Sequence, residues 1–281
     1  MARVLICGTL AYDLIGRFSG RLEAHTRNVK LDSMVHGFGG CAMNMAYNLR
    51  QLGHEPVPLV YAGDNFVPDY EQHLSGLGIS RDGIIQVPGI DCARGLILTD
   101  ADGAQFTAFY PGPTGLERHH RDLAVFASED YDGLIIAPDL PEKMLACAGA
   151  FVRTKLRVWC PGQYAEMLSA AEAREMLKNV DILIANRHEW DALCHRLPTA
   201  EISRQLDEVV ITDGPHPVTA VHQRLVVQVP QTSAVDPTGC GDAFAAALVA
   251  ATLESKDLAE ALRAGISQAS LCLRTQGSQQ H

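Results

Sequence analysis

The 281-residue sequence is short of positive charge. Its 23 lysines and arginines stand against 33 aspartates and glutamates, a formal net charge of −10. A field of that sign disfavours non-specific binding to nucleic acid or to an anionic membrane, so any phosphate must be held by a local arrangement. Apolar runs of the length needed to span a bilayer are missing. No basic and apolar leader precedes "MARVLICG", so a cytoplasmic location is expected. The eight cysteines form no Cys-x-x-Cys pair, and several lie inside apolar runs such as "VLICG" and "ASLCL". They are expected to be reduced core thiols rather than a disulfide framework. The histidines of "HEWDALCH" are too far apart for a His-Glu-x-x-His zinc site, and no metal cluster is visible. Low-complexity linkers and internal repeats are absent too.

What is present is apolar material in a regular rhythm. With 47% apolar residues the chain is able to bury a large core without staples. Short apolar runs at 3–8, 56–63, 131–138, 156–160, 180–186 and 208–214 read as strands. Their continuity suits strands covered on both faces, as in a parallel sheet. Helical spacing predicts helices over 41–53, 68–78, 165–179 and 187–197, then two more near the end of the sequence. Alternation of this kind predicts a doubly wound α/β fold. Two segments break the rhythm. Residues 12–36 are polar and short-patterned, while "CARGLILTDADGAQFTAFY" (92–110) has two strand-like runs around a turn and reads as an antiparallel hairpin. One domain over 1–281 with a small β lid, formed by about 12–36 and 90–112, is the economical reading.

Two glycine-rich sites carry the chemistry. In "VDPTGCGDAFAAALVAATL", Asp236-Pro237 forces a turn and the glycines allow unusual backbone angles. A helix then runs from about Asp242. The amides of Gly239, Cys240 and Gly241 would point outward at a helix N-terminus, which is an anion site. Asp242 beside it is either a helix cap or a base facing a hydroxyl that attacks phosphorus. In the second case the helix dipole is expected to keep it ionised at neutral pH. In "HGFGGCAMNMAYNLRQLG", residues Gly37 to Ala42 fit a loose dinucleotide fingerprint, which makes an NAD-dependent oxidoreductase the competing class. Alternatively, Gly39 and Gly40 bring bare backbone close to a ligand. Asn44, on one helix face with Asn48, would then suit a neutral hydroxyl.

Both sites together resemble the PfkB or ribokinase-like family of small-molecule kinases, whose two signatures "GGCAMNMAYNLRQLG" and "DPTGCGDAF" match in order. The resemblance covers essentially the whole chain. It implies a three-layer α/β/α fold with a mostly parallel central sheet and a small β lid. It also implies phosphoryl transfer from ATP with Mg²⁺ to a hydroxymethyl group. Asp242 becomes the base, Gly239, Cys240 and Gly241 the anion hole, and Asp13, Gly39, Gly40 and Asn44 the acceptor site. Asn186 and Glu189 in "ANRHE" match the Asn-x-x-Glu of the magnesium and phosphate environment, with Glu189 acting through water. The same pair makes a capping box. Thr212 and Gly214 resemble the turn beneath the nucleotide. Within the family the bacterial adenosine-kinase-type branch is most similar, which implies phosphorylation of the adenosine 5′-hydroxyl. Ribose or fructose is the alternative acceptor. Phe106, Phe109, Tyr110 and Tyr12 are candidates to stack on a purine. Cys160 in "CPGQ" departs from an expected aspartate. The helix after Asp242 lacks the branch's arginine and glycine, and the segment from Cys194 to Val209 is short. Potassium near Asp236 and a homodimer are left open.

Overall fold

The computed structural model describes residues 1–116 and 123–281. Its strands are β1 (Arg3–Cys7), β2 (Ala11–Arg17), β3 (Ser33–Gly39), β4 (Glu55–Ala62), β5 (Ile84–Gln86), β6 (Ala93–Thr99), β7 (Gln105–Tyr110), β8 (Gly133–Ile136), β9 (Leu156–Trp159), β10 (Ile182–Asn186), β11 (Glu208–Asp213), β12 (His216–Ala220) and β13 (Leu225–Val227). Its helices are α1 (Cys41–Gln51), α2 (Asp69–Leu77), α3 (Leu123–Phe126), α4 (Pro141–Ala150), α5 (Ala170–Leu177), α6 (Arg187–Cys194), α7 (Thr199–Arg204), α8 (Cys240–Leu253) and α9 (Leu258–Cys272). Nine strands form the large sheet in the order β13-β12-β11-β10-β9-β8-β1-β4-β5. Every pairing from β11 to β5 is parallel, and β12 and β13 add an antiparallel edge. Helices cover both faces, which makes the expected three layers. One core joins α1, α8 and α9 to the sheet through residues such as Ile6, Met43 and Leu248. The other is built around Leu5, Trp159 and Met176.

The continuous apolar runs form central strands because only a strand buried on both faces needs no polar alternation. Each fully buried Leu or Ile contributes about 1.5–3 kcal/mol. Helix α8 reads alanine at six of its positions, and every residue from Ala243 to Ala251 is buried. Small side chains let it lie close against α1 and α9. Gly265 of α9 is needed there, since a Cβ would sit 2.7 Å from the Phe244 ring.

The small sheet has the order β3-β2-β6-β7. The hairpin over 92–110 is present as β6 and β7. Residues 12–36, read as irregular, contain β2 and the start of β3, and β2 runs parallel to β6 as well as antiparallel to β3. Two predicted helices shift for a physical reason. The one expected over 165–179 begins only at Ala170, because Ser169 and Glu172 form a capping box. The one expected from Asp242 begins at Cys240, one residue after Gly239 turns the chain with φ +84°. Among the described residues no helix is long and apolar enough to cross a membrane.

Candidate active site

The parallel strands β1, β10 and β11 deliver their C-terminal ends to one edge, where open α/β sheets hold ligands. The chain leaves β1 and enters β2, which carries Asp13. Residues pairing side by side share a face, so Asp13, Gly37, Gly95 and Phe109 form one row across the small sheet. The glycines make room for the carboxylate. A Cβ on Gly39 would lie 1.9 Å from Asp13 Oδ2, and one on Gly95 2.7 Å from Oδ1. Asp13 is 8% exposed, and nothing among the described residues donates a hydrogen bond to it. A buried carboxylate without donors has its hydrogen-bonding capacity unused.

Gly40 follows β3 and caps α1 with φ +90°. A side chain there would meet the Thr9 carbonyl at 2.5 Å, so only glycine lets β3 cross the β1–β2 connection. One turn into α1, Asn44 is buried and donates from Nδ2 to Asp242 Oδ2 at 2.8 Å. Cys41 donates its thiol to the same carboxylate. Sequence reading placed Asn44 on the acceptor; its Nδ2 also serves Asp242, and its Oδ1 accepts from Ser278 and Gln279.

At the start of α8 the Cys240 N–H turns back to the Pro237 carbonyl at 3.2 Å. Gly239, Gly241 and Asp242 are left with backbone N–H groups that meet no acceptor among the described residues, beside the unpartnered buried hydroxyl of Thr238. Of the three residues expected to offer outward amides, Cys240 instead closes the turn with its N–H. Space beyond Gly241 is open.

Burial raises the Asp242 pKa to about 7, opposed by its donors Asn44 and Cys41 and reinforced by the Glu189 carboxylate. The helix dipole was expected to keep this group ionised at neutral pH; with burial as the largest influence, it is only partly ionised there. Burial likewise lifts Asp13 to about 7, with repulsion from Asp242 and Asp236 adding to it. Near neutrality each carboxylate is partly protonated.

Glu189 opens α6 and forms a capping box with Asn186, with Oε2 accepting from the Asn186 N–H at 3.0 Å and Oε1 from Nδ2 at 2.7 Å. Asn186 pairs in register with Thr212 across β10 and β11, and Gly214 follows in the β11–β12 turn with φ +55° and free space beside it. Asp236 is buried, and both its oxygens accept backbone N–H groups, from Thr238 and Gly277 at 3.0 Å. Cys160 is a core thiol that burial pushes well up, lying near Asp242 and Glu189. An aspartate there would add another carboxylate beside Asp242 and Glu189.

Of the aromatic candidates only Phe109 shares the Asp13 face. Phe106 and Tyr110 alternate to the other side, as does Tyr12, whose hydroxyl donates to the Asn65 carbonyl and whose ring packs on Phe38 and Tyr70. The dinucleotide fingerprint also fails, because Gly37 and Gly39 lie within β3 of the small sheet and not in a turn after a core strand. Sequence reading missed two features. Arg17 donates to the Val235 carbonyl, tying β2 to the loop before Asp236. Residues 277–279 pack against Asn44.

A family model described as pfkB family carbohydrate kinase matches residues 1–281. The chain belongs to this family. It is a phosphotransferase with an alcohol group of a sugar or nucleoside as acceptor. A nucleoside kinase of Methanocaldococcus jannaschii is 25% identical, with 99% of this chain and 93% of that protein covered. A nucleoside kinase of Methanothermobacter thermautotrophicus is 27% identical over 98% and 91%. The structure of a Burkholderia thailandensis nucleoside kinase in complex with inosine superposes with a TM-score of 0.89, at 30% identity and coverage of 98% and 93%. The same kinase has also been solved with ADP and inosine, with a TM-score of 0.87.

Proposed function

We propose that this PfkB-family kinase transfers the γ-phosphoryl group of ATP to the 5′-hydroxyl of a purine nucleoside, adenosine first. The observation that carries this reading is the pairing of Asp242, held near pH 7 by burial, with three unpaired backbone N–H groups at the start of α8. Asp13 receives ribose hydroxyls, which supply the donors its carboxylate lacks. Asp242 takes the proton of the 5′-hydroxyl while that oxygen bonds to phosphorus and the bond to the β-phosphate oxygen breaks, releasing ADP. The N–H groups of Gly239, Gly241 and Asp242 face the oxygens where charge is carried. A base with a pKa near the working pH combines a useful ionised fraction with useful proton affinity.

Thr212, Gly214 and Asn186 line the nucleotide end. Magnesium supplies charge neutralisation on the phosphates when bound. The residues present fit it as a hydrated ion: Glu189 carries free lone pairs beyond its two bonds to Asn186 and would hold it through water. The purine reading rests on Phe109, which shares the Asp13 face of the small sheet with Gly95 between them in register. It is supported by the similarity to nucleoside kinases. Measuring ADP release across adenosine, inosine, guanosine, ribose and fructose tests it. The expected order puts purine nucleosides first by kcat/KM, and a preference for free ribose or fructose would overturn it.

A further inference from the structure

Residues 277–279 follow α9 and come back to the site. Ser278 and Gln279 are polar, yet only 1% and 4% exposed. Both donate to a single atom: Ser278 Oγ lies 2.8 Å and Gln279 Nε2 2.9 Å from Asn44 Oδ1. An ionised carboxylate only accepts, so the Asn44 amide has to turn its NH₂ towards Asp242. Two donors on the opposite side make that the one orientation that fits. A flipped amide would set oxygen against Asp242 Oδ2 and NH₂ against both Ser278 and Gln279.

We infer that Gln279, with Ser278, is a positioning residue for the base: the pair locks the Asn44 amide so that it donates to Asp242. This rests on the reading of Asp242 as the base. Gln279 joins a second wall as well. Its Nε2 is 3.2 Å from the Tyr70 hydroxyl, which donates at 2.7 Å to the carbonyl of Gly39, the β3 glycine against which the Asp13 carboxylate lies. Its Oε1 meets His73 Nε2 at 2.9 Å, and that ring stacks on Phe38. One side chain thus connects the supports of both carboxylates.

The consequence is a shift in the proton affinity of Asp242. Asn44 as a donor favours the ionised form and lowers the pKa; an amide free to rotate does so only part of the time. The other groups around Asp242 stay in place. Cys41 donates to it, the carboxylates of Glu189 and Asp13 repel it, and the thiols of Cys160 and Cys272 remain neutral. Loss of the lock therefore moves the rising limb of the rate to higher pH.

The test is the pH profile of kcat/KM for the acceptor in wild type, Gln279→Met, Ser278→Ala and Asp242→Asn. In Gln279→Met the limb is expected to move up by about one unit, which costs about tenfold below the limb and much less above it. Ser278→Ala, which keeps one donor, shifts less in the same direction, and KM for ATP stays unchanged in both. Should Gln279→Met fail to fold, the direction of the Ser278→Ala shift decides. A uniform loss with an unmoved limb, or no loss, overturns the positioning role and leaves a packing one. A different outcome strikes the parent reading: a wild-type enzyme without turnover on any acceptor, or an active Asp242→Asn variant.

Discussion

Asn44 Nδ2 and Asp242 Oδ2 lie 2.8 Å apart, across 198 residues of sequence. This contact closes the site: it joins the helix that starts at the first glycine pair to the helix that starts at the second. It also fixes the electrostatics. Asp242 is desolvated enough to hold a proton near neutrality, yet keeps a donor that favours the ionised form needed to accept one. The same carboxylate in water would be a weak base, and without the donor it would stay protonated too far up the pH scale.

The Asp242→Asn variant tests the base. The cap of α8 is Gly239, with no side-chain cap bond, and Asp242 lies inside the first turn, so the exchange leaves the start of the helix in place. We expect kcat to fall by roughly 10²–10⁴-fold, the contribution of a general base, with ATP affinity measured by calorimetry nearly unchanged. Wild-type turnover would overturn the role of Asp242 as base.

Stability should respond to pH in the sense opposite to that of a salt-bridged carboxylate. Asp13 and Asp242 have pKa values of about 7 in the folded protein against an ordinary value of 3.8. Folding therefore favours their protonated forms. That contribution is complete below about pH 4 and is lost as pH rises through about 7. The ligand-free protein is expected to lose melting temperature from pH 5 to pH 8. Asp242→Asn, which carries no charge to desolvate, should melt higher than wild type at pH 8 and close to it at pH 4. A constant difference between the two proteins at all pH values would show that Asp242 is not desolvated.

Gly39→Ala tests the seat of Asp13. The added methyl would fall 1.9 Å from Oδ2, so the carboxylate has to leave its place on the strand. Hydrogen bonds to a charged group are worth about 1.5–3 kcal/mol, and KM for the acceptor should rise by roughly 10–100-fold on that basis. The dissociation constant for ATP, bound at the far end of the cleft, should hold. If both constants rose together, the substitution would have disturbed the fold rather than Asp13.

Much of this was legible in the residues themselves. "VLIC", "GLII" and "ILIA" are uninterrupted apolar runs, and a strand covered on both faces leaves no other pattern. "TGCGD" and "FGGCAMN" announced backbone turns because glycine is the residue that takes φ near +90° without a clash. The two-residue alternation of "QFTAFY" was legible too, but which aromatics face the cleft depends on register with β6, and no local pattern states register. "AYDLIGR" carried a weak strand signal because its partners, β3 and β6, are remote in sequence. The raised pKa of Asp242 was out of reach as well. Helix dipoles are read from sequence position, whereas desolvation depends on what three distant segments place around the group. "GSQQH" looks like a polar tail, and its burial follows only from the depth at which Asn44 leaves an oxygen to satisfy.

Register also yields a prediction that separates two phenylalanines three residues apart. Phe109 is level with Asp13 and faces the same way, whereas Phe106 pairs with Leu98 on the opposite side and is 54% exposed. A purine held by its ribose at Asp13 would extend past Gly95 onto the Phe109 ring. Stacking of this kind is worth about 0.5–1.5 kcal/mol beyond area burial, so Phe109→Ala should raise KM for adenosine by roughly three- to tenfold on that figure. The same variant should leave the KM for free ribose alone, since a sugar without a base does not reach that ring. Phe106→Ala should change neither. Equal responses from the two variants would mean that the strand acts on the site only through its backbone, and the purine reading would have to be given up.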